Sequence, residues 1–314
     1  MASFDSINYS LRPSKSIQRY VIFEGARRLQ NHMDWEKMAY IGLGSVWFTD
    51  FTMAHKVLGI EDMVSIEAHE VGYKRAVFNA PYATVQVKQG YTHEVLPALF
   101  LDPTYSARPW MIWLDYDGAF DEGCADDVRS VIENAPANSV LLVTVNGHEM
   151  SYGRVPDRVE RLRDIFGAIV PDEMPKRACR DERMQETLAD LLLDFMQSIA
   201  LDIRRPGGFV PGFRIVYQDS APMVTVGGVL PTKGASKLVR DLVDAQDWCG
   251  RPSKPITAPH LTLKEAAMLQ AKLPRKEKLT RAIIQSLGFD LEDQQIEAFQ
   301  TYYRQYPSFA QILS

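Results

Sequence analysis

The sequence predicts an α/β chain. It should hold a mostly parallel sheet with helices on both faces, closed by an antiparallel hairpin and flanked by an N-terminal helix and a helical C-terminal extension. Three observations carry this expectation. Short apolar runs alternate with helix-length segments five times before residue 150. Within them, the stretch 38–67 reads as a strand that stops at Gly42 and Gly44, a helix-length segment, and a second strand that ends on Glu67. Further on, apolar runs at 213–217 and 223–229 are joined only by Gln218-Asp219-Ser220-Ala221-Pro222. A parallel crossover needs about a dozen residues or more, so these two runs must pair antiparallel.

The elements follow in order. Residues 13–30 carry Ile17, Tyr20, Val21, Ala26 and Leu29 at helical spacing. The first strand spans 38–44. A helix over 48–58 is closed by Gly59, a residue suited to the left-handed turn after a helix. The second strand spans 63–68, a helix 70–78, and the third strand 84–88, ending at Gln89-Gly90. A short helix over 92–100 leads to Pro109-Trp110-Met111-Ile112-Trp113-Leu114, an apolar run that suits a strand buried on both faces. It stops at Asp115-Tyr116-Asp117-Gly118. A helix over 123–134 and a strand over 139–145 complete the alternation, with Asn146-Gly147-His148 at the end.

The pattern then changes. Residues 157–205 read as amphipathic helix with a proline-rich break at 171–175, and Arg205-Pro206-Gly207-Gly208 is a loop. The hairpin follows. After Pro231 the chain is mostly helical, and Thr262-Leu263-Lys264-Glu265 has the form of a capping box. Three regions result: a basic helical segment over 1–37, a nucleotide-binding domain over 38–230 with a helical insertion at about 156–205, and a helical extension over 231–314.

Composition narrows the class. With 314 residues, 46% hydrophobic and 24% charged, the chain can bury a proper core. No apolar run reaches the roughly 18 residues of a membrane-crossing helix. Met1-Ala2-Ser3-Phe4-Asp5 lacks a basic-then-apolar leader pattern. Cys124, Cys179 and Cys249 are odd in number and far apart, which favours a reducing, cytoplasmic setting over a disulfide framework. A net charge of -5 disfavours a protein that coats nucleic acid. Arg12, Lys15, Arg19, Arg27 and Arg28 do make the opening segment basic, which suits an anionic partner or a solvated helix face equally.

The chemistry concentrates at strand ends. Gly42 and Gly44 let backbone approach a ligand, and an acid roughly 20 or more positions on can hold both hydroxyls of a ribose. A nucleoside-bearing cofactor is therefore expected. No histidine spacing suggests a metal site, and neither a phosphate-binding Gly-x-x-x-x-Gly-Lys loop nor a Gly-x-Ser-x-Gly turn is present. His148 could act as a base but reads more simply as a surface residue. Asn79-Ala80-Pro81-Tyr82 lies before the third strand, where a turn fixed by proline is the plainer reading.

Five parallel strands and a closing antiparallel pair resemble the class I S-adenosylmethionine-dependent methyltransferase fold, a Rossmann-like architecture, over roughly 38–230. Nicotinamide-binding domains lack that hairpin, and a dinucleotide fingerprint would need glycine at Trp47. The segments Asn8-Tyr9-Ser10-Leu11-Arg12-Pro13-Ser14-Lys15, Tyr40-Ile41-Gly42-Leu43-Gly44-Ser45 and Ser65-Ile66-Glu67 also resemble bacterial proteins labelled O-methyltransferases. The resemblance implies S-adenosylmethionine as cofactor. It implies cofactor contacts at Gly42, Gly44 and Ser45, a ribose-binding Glu67, and an adenine-side loop at Gly90 and Tyr91. It puts Asp115, Tyr116 and Asp117 beside the sulfonium, where they could position or deprotonate the acceptor. The sequence departs from the family pattern at Tyr40, where an acid is usual, at Val46, where a third glycine is usual, and at Tyr91, where an acid is frequent. These departures keep a sensor or scaffold without turnover as one alternative; a nicotinamide-dependent oxidoreductase is the other. The methyl acceptor is not specified, and neither is the choice between oxygen and nitrogen.

Overall fold

A computed structural model describes residues 12–33, 35, 37–44, 46–154 and 157–307. The chain opens with α1 (Pro13–Gln30), whose proline at the first helical position costs no hydrogen bond. It continues through β1 (Ala39–Leu43), α2 (Thr49–Leu58), β2 (Met63–Glu67), α3 (Glu70–Asn79), β3 (Val85–Gln89), α4 (Thr92–Leu101), the single turn α5 (Pro103–Ser106), β4 (Trp110–Asp115), α6 (Glu122–Asn134) and β5 (Ser139–Asn146). Then come α7 (Arg158–Phe166), α8 (Asp181–Asp202), β6 (Val210–Gln218), β7 (Pro222–Leu230) and four short helices, α9 (Ser236–Val243), α10 (Leu263–Gln270), α11 (Arg281–Ser286) and α12 (Asp293–Tyr302).

The seven strands form one sheet in the order β3-β2-β1-β4-β5-β7-β6. Neighbours among β1 to β5 run parallel. Strand β7 inserts between β5 and β6 and is antiparallel to both. This is the class I methyltransferase topology expected from the hairpin, and it removes the open, hairpin-free sheet that an oxidoreductase would need. The order reverses between β1 and β4, so their carboxyl ends flank the crevice where open α/β sheets bind ligands.

The central strands explain their own burial. Every residue of β4 but Asp115, and every residue of β5 but Asn146, is buried. Alternate side chains enter two apolar layers. Ile112, Leu114, Leu141 and Val143 pack with α6, α7 and α8. Tyr40, Met111, Trp113 and Leu142 pack with α1, α2 and side chains of the C-terminal helices, among them Val239, Leu269, Ile284 and Phe299. The C-terminal aromatics Phe299, Tyr302, Tyr303 and Tyr306 thus belong to this second layer. Tyr306 donates to Pro259 O at 2.8 Å and accepts from Leu261 N at 3.1 Å.

Two details differ from the sequence expectation. Strand β6 begins at Val210 rather than Phe213, because Pro211 and Gly212 sit in a register shift that interrupts the apolar pattern, and β7 is one residue longer at each end than 223–229. Residues 167–180 carry short 3-10 turns between α7 and α8. The capping box is as expected: Glu265 N donates to Thr262 Oγ1 at 3.3 Å, and Thr262 N donates to Glu265 Oε2 at 2.8 Å. Among the described residues no helix is long and apolar enough to cross a membrane.

All three cysteines are free. Burial pushes the Cys124 thiol up to about 12 and raises Cys179 and Cys249 as well. A thiol whose pKa lies above the solution pH stays neutral and is a poor nucleophile. At pH 8 the native protein should therefore react slowly with a thiol-specific disulfide reagent and release three equivalents promptly once unfolded. Rapid reaction of Cys124 in the native state would contradict its burial.

Candidate active site

The carboxyl ends of β1, β2 and β3 meet around Glu67. Its backbone carbonyl accepts the Gly90 N–H at 3.1 Å, tying the β3 end to the β2 end. Gly44 N donates to Ile66 O, which ties the β1 turn to the same strand. The Glu67 side chain runs through a gap that only glycine leaves open. A methyl group on Gly44 would stand 2.4 Å from Glu67 Oε2, and one on Gly72 would stand 2.7 Å from its carboxyl carbon. Glu67 Oε1 accepts the His69 N–H at 2.9 Å, so one oxygen is oriented by backbone. Gly42 has a different neighbourhood: a Cβ there would meet the rings of Tyr40 and Phe51 at 3.1 Å. Ser45 lies outside the described residues. Tyr91 is 61% exposed and stacks on His93 with centroids 5.6 Å apart.

A second group gathers where β4 ends. Asp115 Oδ2 lies 2.8 Å from Lys15 Nζ, and Lys15, on α1, is only 4% exposed. Asp115 Oδ1 is buried and has no hydrogen-bond partner among the described residues. The start of α1 is fastened above this point: Asp219, in the β6–β7 turn, accepts the N–H groups of Ser14 and Lys15 at 2.9 Å each. Carboxylates belong at helix N-termini because the first N–H groups have no partner within the helix. Below, the Gln18 amide donates to Thr225 Oγ1 at 2.9 Å, the hydroxyls of Thr225 and Thr144 lie 2.7 Å apart, and Trp113 Nε1 donates to Thr144 Oγ1 at 2.9 Å. Tyr40 donates its hydroxyl to Asp50 Oδ2. Burial and the adjacent Asp50 hold the Tyr40 phenol well above its ordinary range, and burial raises the Asp50 carboxyl.

The other strand-end candidates separate. Asp117 is exposed. The Tyr116 hydroxyl donates to Asp127 Oδ2 on α6 at 2.8 Å, and its ring packs against the α6–α8 layer. Tyr116→Phe should cost about 1 kcal/mol of stability, the ordinary net worth of one hydrogen bond. Urea denaturation would read this, and cofactor affinity should not change. His148 is exposed, its ring nitrogen accepting the Met150 N–H at 3.2 Å. Tyr82 packs its ring on His55, 4.3 Å between centroids, in the α3–β3 turn. Among the described residues no group of His, Cys, Asp and Glu could hold a metal ion.

The sequence reading did not single out Asp50 or Asp219, and it took Lys15 only as part of a basic segment suited to an anionic partner or a solvated face. Lys15 and Arg19 stand four residues apart on one face of α1, which reads as an ordinary basic helix face. In the fold that face is turned inward, and Arg19 is buried too. Arg27 and Arg28 pair with Glu24, and Arg28 also reaches Asp247. Much of the opening segment's positive charge is therefore met within the chain.

A family model described as "Putative O-methyltransferase" matches residues 7–314. Among solved structures, the chain is similar to Trm1 from Pyrococcus horikoshii, determined with S-adenosyl-L-methionine. The TM-score is 0.52 at 12% identity, covering 76% of this chain and 61% of that one, so the chain spans about three fifths of that relative's length. The likeness is one of fold. The O-methyltransferase TomG from Streptomyces achromogenes, in complex with the same cofactor, is more distant, with TM-score 0.38, 12% identity and coverage of 72% and 91%. No curated protein matches.

Proposed function

The chain belongs to the O-methyltransferase family whose model spans residues 7–314, and from that premise we propose how its strand ends divide the work of methyl transfer from S-adenosylmethionine. The observation that carries the reading is the Glu67 carboxylate, seated between Gly44 and Gly72 at the end of β2. A carboxylate fixed there can accept hydrogen bonds from two adjacent ribose hydroxyls. Gly44 keeps the space clear of side chain, and the backbone at Gly90 and Tyr91 would border the adenine. Gly42 would act through the packing of Tyr40 and Phe51 beneath the turn. These residues fit the cofactor's polar groups without a metal ligand or a covalent attachment point.

Asp115 is the acceptor-side group in this reading, with the exposed Asp117 next to it. When bound, the cofactor supplies a methyl group on a positively charged sulfur, already primed for in-line attack. The protein's own task is then to hold the acceptor in line and receive its proton. Asp115 Oδ1, buried and without a hydrogen-bond partner among the described residues, can accept that proton or orient the group that carries it.

Calorimetric titration tests the cofactor half directly. The protein should bind S-adenosylmethionine and S-adenosylhomocysteine saturably, and NADH and ATP weakly or not at all. Absence of binding to the first two would sink the proposal. Tight binding with no transfer to any acceptor would favour a sensor that keeps the fold.

A further inference from the structure

We propose that Lys15 of α1 belongs to the methyl-acceptor site and that, with Asp115, it selects a hydroxyl able to carry negative charge on oxygen, a phenol or an enol. The inference rests on the reading of Asp115 above and deepens it by naming a second residue and the acceptor's chemical class. Burying an ammonium is costly unless a partner and a fixed geometry compensate it. Here both exist. The Lys15 backbone is fixed by Asp219, and the preceding Ser14 Oγ accepts the Ala258 N–H at 3.0 Å, so the start of α1 cannot slide. Its Nζ meets only one oxygen of Asp115, at 2.8 Å, leaving Oδ1 of the same carboxyl without a hydrogen bond among the described residues. A ligand oxygen donating to Oδ1 would come within a few ångströms of the ammonium.

The surrounding charges point the same way. Lys15 from α1 pairs with Asp115, and Tyr40 from β1, Asp50 from α2 and Tyr217 from β6 each lie in reach of the charges of both Asp115 and Arg19, with Asp219 occupied by the α1 amides. Burial keeps the Tyr40 and Tyr217 phenols neutral and moves Asp50 toward its neutral form. Lys15 and Arg19 are the two cations of this group, set beside the Asp115 and Asp219 carboxylates. Two buried cations repel a protonated amine and stabilise an oxygen that becomes anionic. In the step itself the acceptor O–H proton passes to Asp115 Oδ1. The oxygen lone pair forms the new bond to the methyl carbon as the carbon–sulfur bond breaks, and that pair stays on sulfur. The products are a methyl ether, a neutral thioether and a protonated Asp115, which returns its proton to solvent.

The test uses the full chain with methyl-labelled S-adenosylmethionine, phenol and 4-nitrophenol as probes, and aniline and 4-nitroaniline as matched amines. Wild type, Lys15→Met, Lys15→Arg and Asp115→Asn are compared across pH, with cofactor affinity measured by calorimetry and folding by circular dichroism. Expected is transfer to the phenols over the anilines, and a loss of about 100-fold in Lys15→Met. Lys15→Arg should recover most of the rate and guards against a folding defect. The pH profile distinguishes function from scaffolding: in Lys15→Met the rate should rise with pH as phenolate forms in solution, whereas the wild type should already work below that range. An unchanged rate in Lys15→Met, a lowered rate with an unmoved profile, transfer to anilines alone, or no transfer to any phenol by a cofactor-bound wild type would each overturn the inference. A wild type that binds no cofactor would overturn the cofactor-site reading as well.

Discussion

Gly44→Val is expected to lower the affinity for S-adenosylmethionine by about 100-fold or more while leaving the protein folded. The first atom of any side chain at this position would lie 2.4 Å from Glu67 Oε2 and 2.7 Å from Glu67 Cβ, closer than non-bonded atoms approach. Gly44 follows β1 and carries no positive φ, so the chain can keep its course. The glutamate carboxylate must leave its place, and because Glu67 Cβ is bonded to backbone, the end of β2 must shift with it. Hydrogen bonds to a charged group contribute about 1.5–3 kcal/mol each, so losing a ribose pair costs at least about 3 kcal/mol. That is a little over a hundredfold in dissociation constant. Glu67→Ala should give a similar loss by removing the acceptor oxygens outright. Gly42→Ala is the informative contrast: its new methyl would press on the rings of Tyr40 and Phe51 at 3.1 Å, so it should lower stability more than affinity. Calorimetry on the three variants, with melting curves alongside, separates these effects. Unchanged affinity in both Gly44→Val and Glu67→Ala would mean that the ribose is held elsewhere.

Gly227→Val should have the largest effect on the fold. Gly227 sits on β7 opposite Leu142 of β5 and Phe213 of β6. A Cβ at this position would stand 2.1 Å from the Leu141 carbonyl oxygen and 2.9 Å from the Leu142 Cα. Both obstacles are backbone, and the strand is hydrogen-bonded on its two edges, so neither partner can retreat without opening a ladder. Domains of ordinary stability hold only about 5–15 kcal/mol, and losses above about 4 kcal/mol come from a short set of causes, of which core overpacking is one. Gly227→Val should therefore exhaust much of the stability and lower the yield of soluble protein. Urea unfolding reads the result. A midpoint equal to that of the parent would mean that β7 is less tightly confined than this geometry requires.

Much of the architecture was legible because the central strands announce themselves. The runs that became β4 and β5 are almost wholly apolar, as suits strands buried on both faces, and each ends in polar turn residues. The linker from Gln218 to Pro222 was too short for anything but a hairpin, which fixed the direction of β7. The site was legible only in part. Gly44, Glu67 and Gly90 come together as their places at strand ends suggest. The neighbouring letters behave differently: Gly42 is filled in by aromatic rings, and the Tyr116 hydroxyl turns away to Asp127. A side chain at a strand end can point either way, and sequence spacing does not say which. Lys15 was hidden for another reason. Its partner is 100 positions away, and only the packing of α1 against the sheet brings the two into contact.

The anchoring of α1 also bears on the order in which the molecule becomes competent. The N–H groups at its start are held by Asp219, 205 positions later for Ser14, and the Ser14 hydroxyl is held by Ala258, 244 positions later. Contacts of such separation form after local ones, because the intervening chain must first be organised. During synthesis the opening helix can coil early, but it finds its seat only once the hairpin and the segment beyond it have emerged. Ribosome-bound chains halted before Asp219 should thus carry β1 to β5 and still leave α1 open to protease, and release past Ala258 should close it.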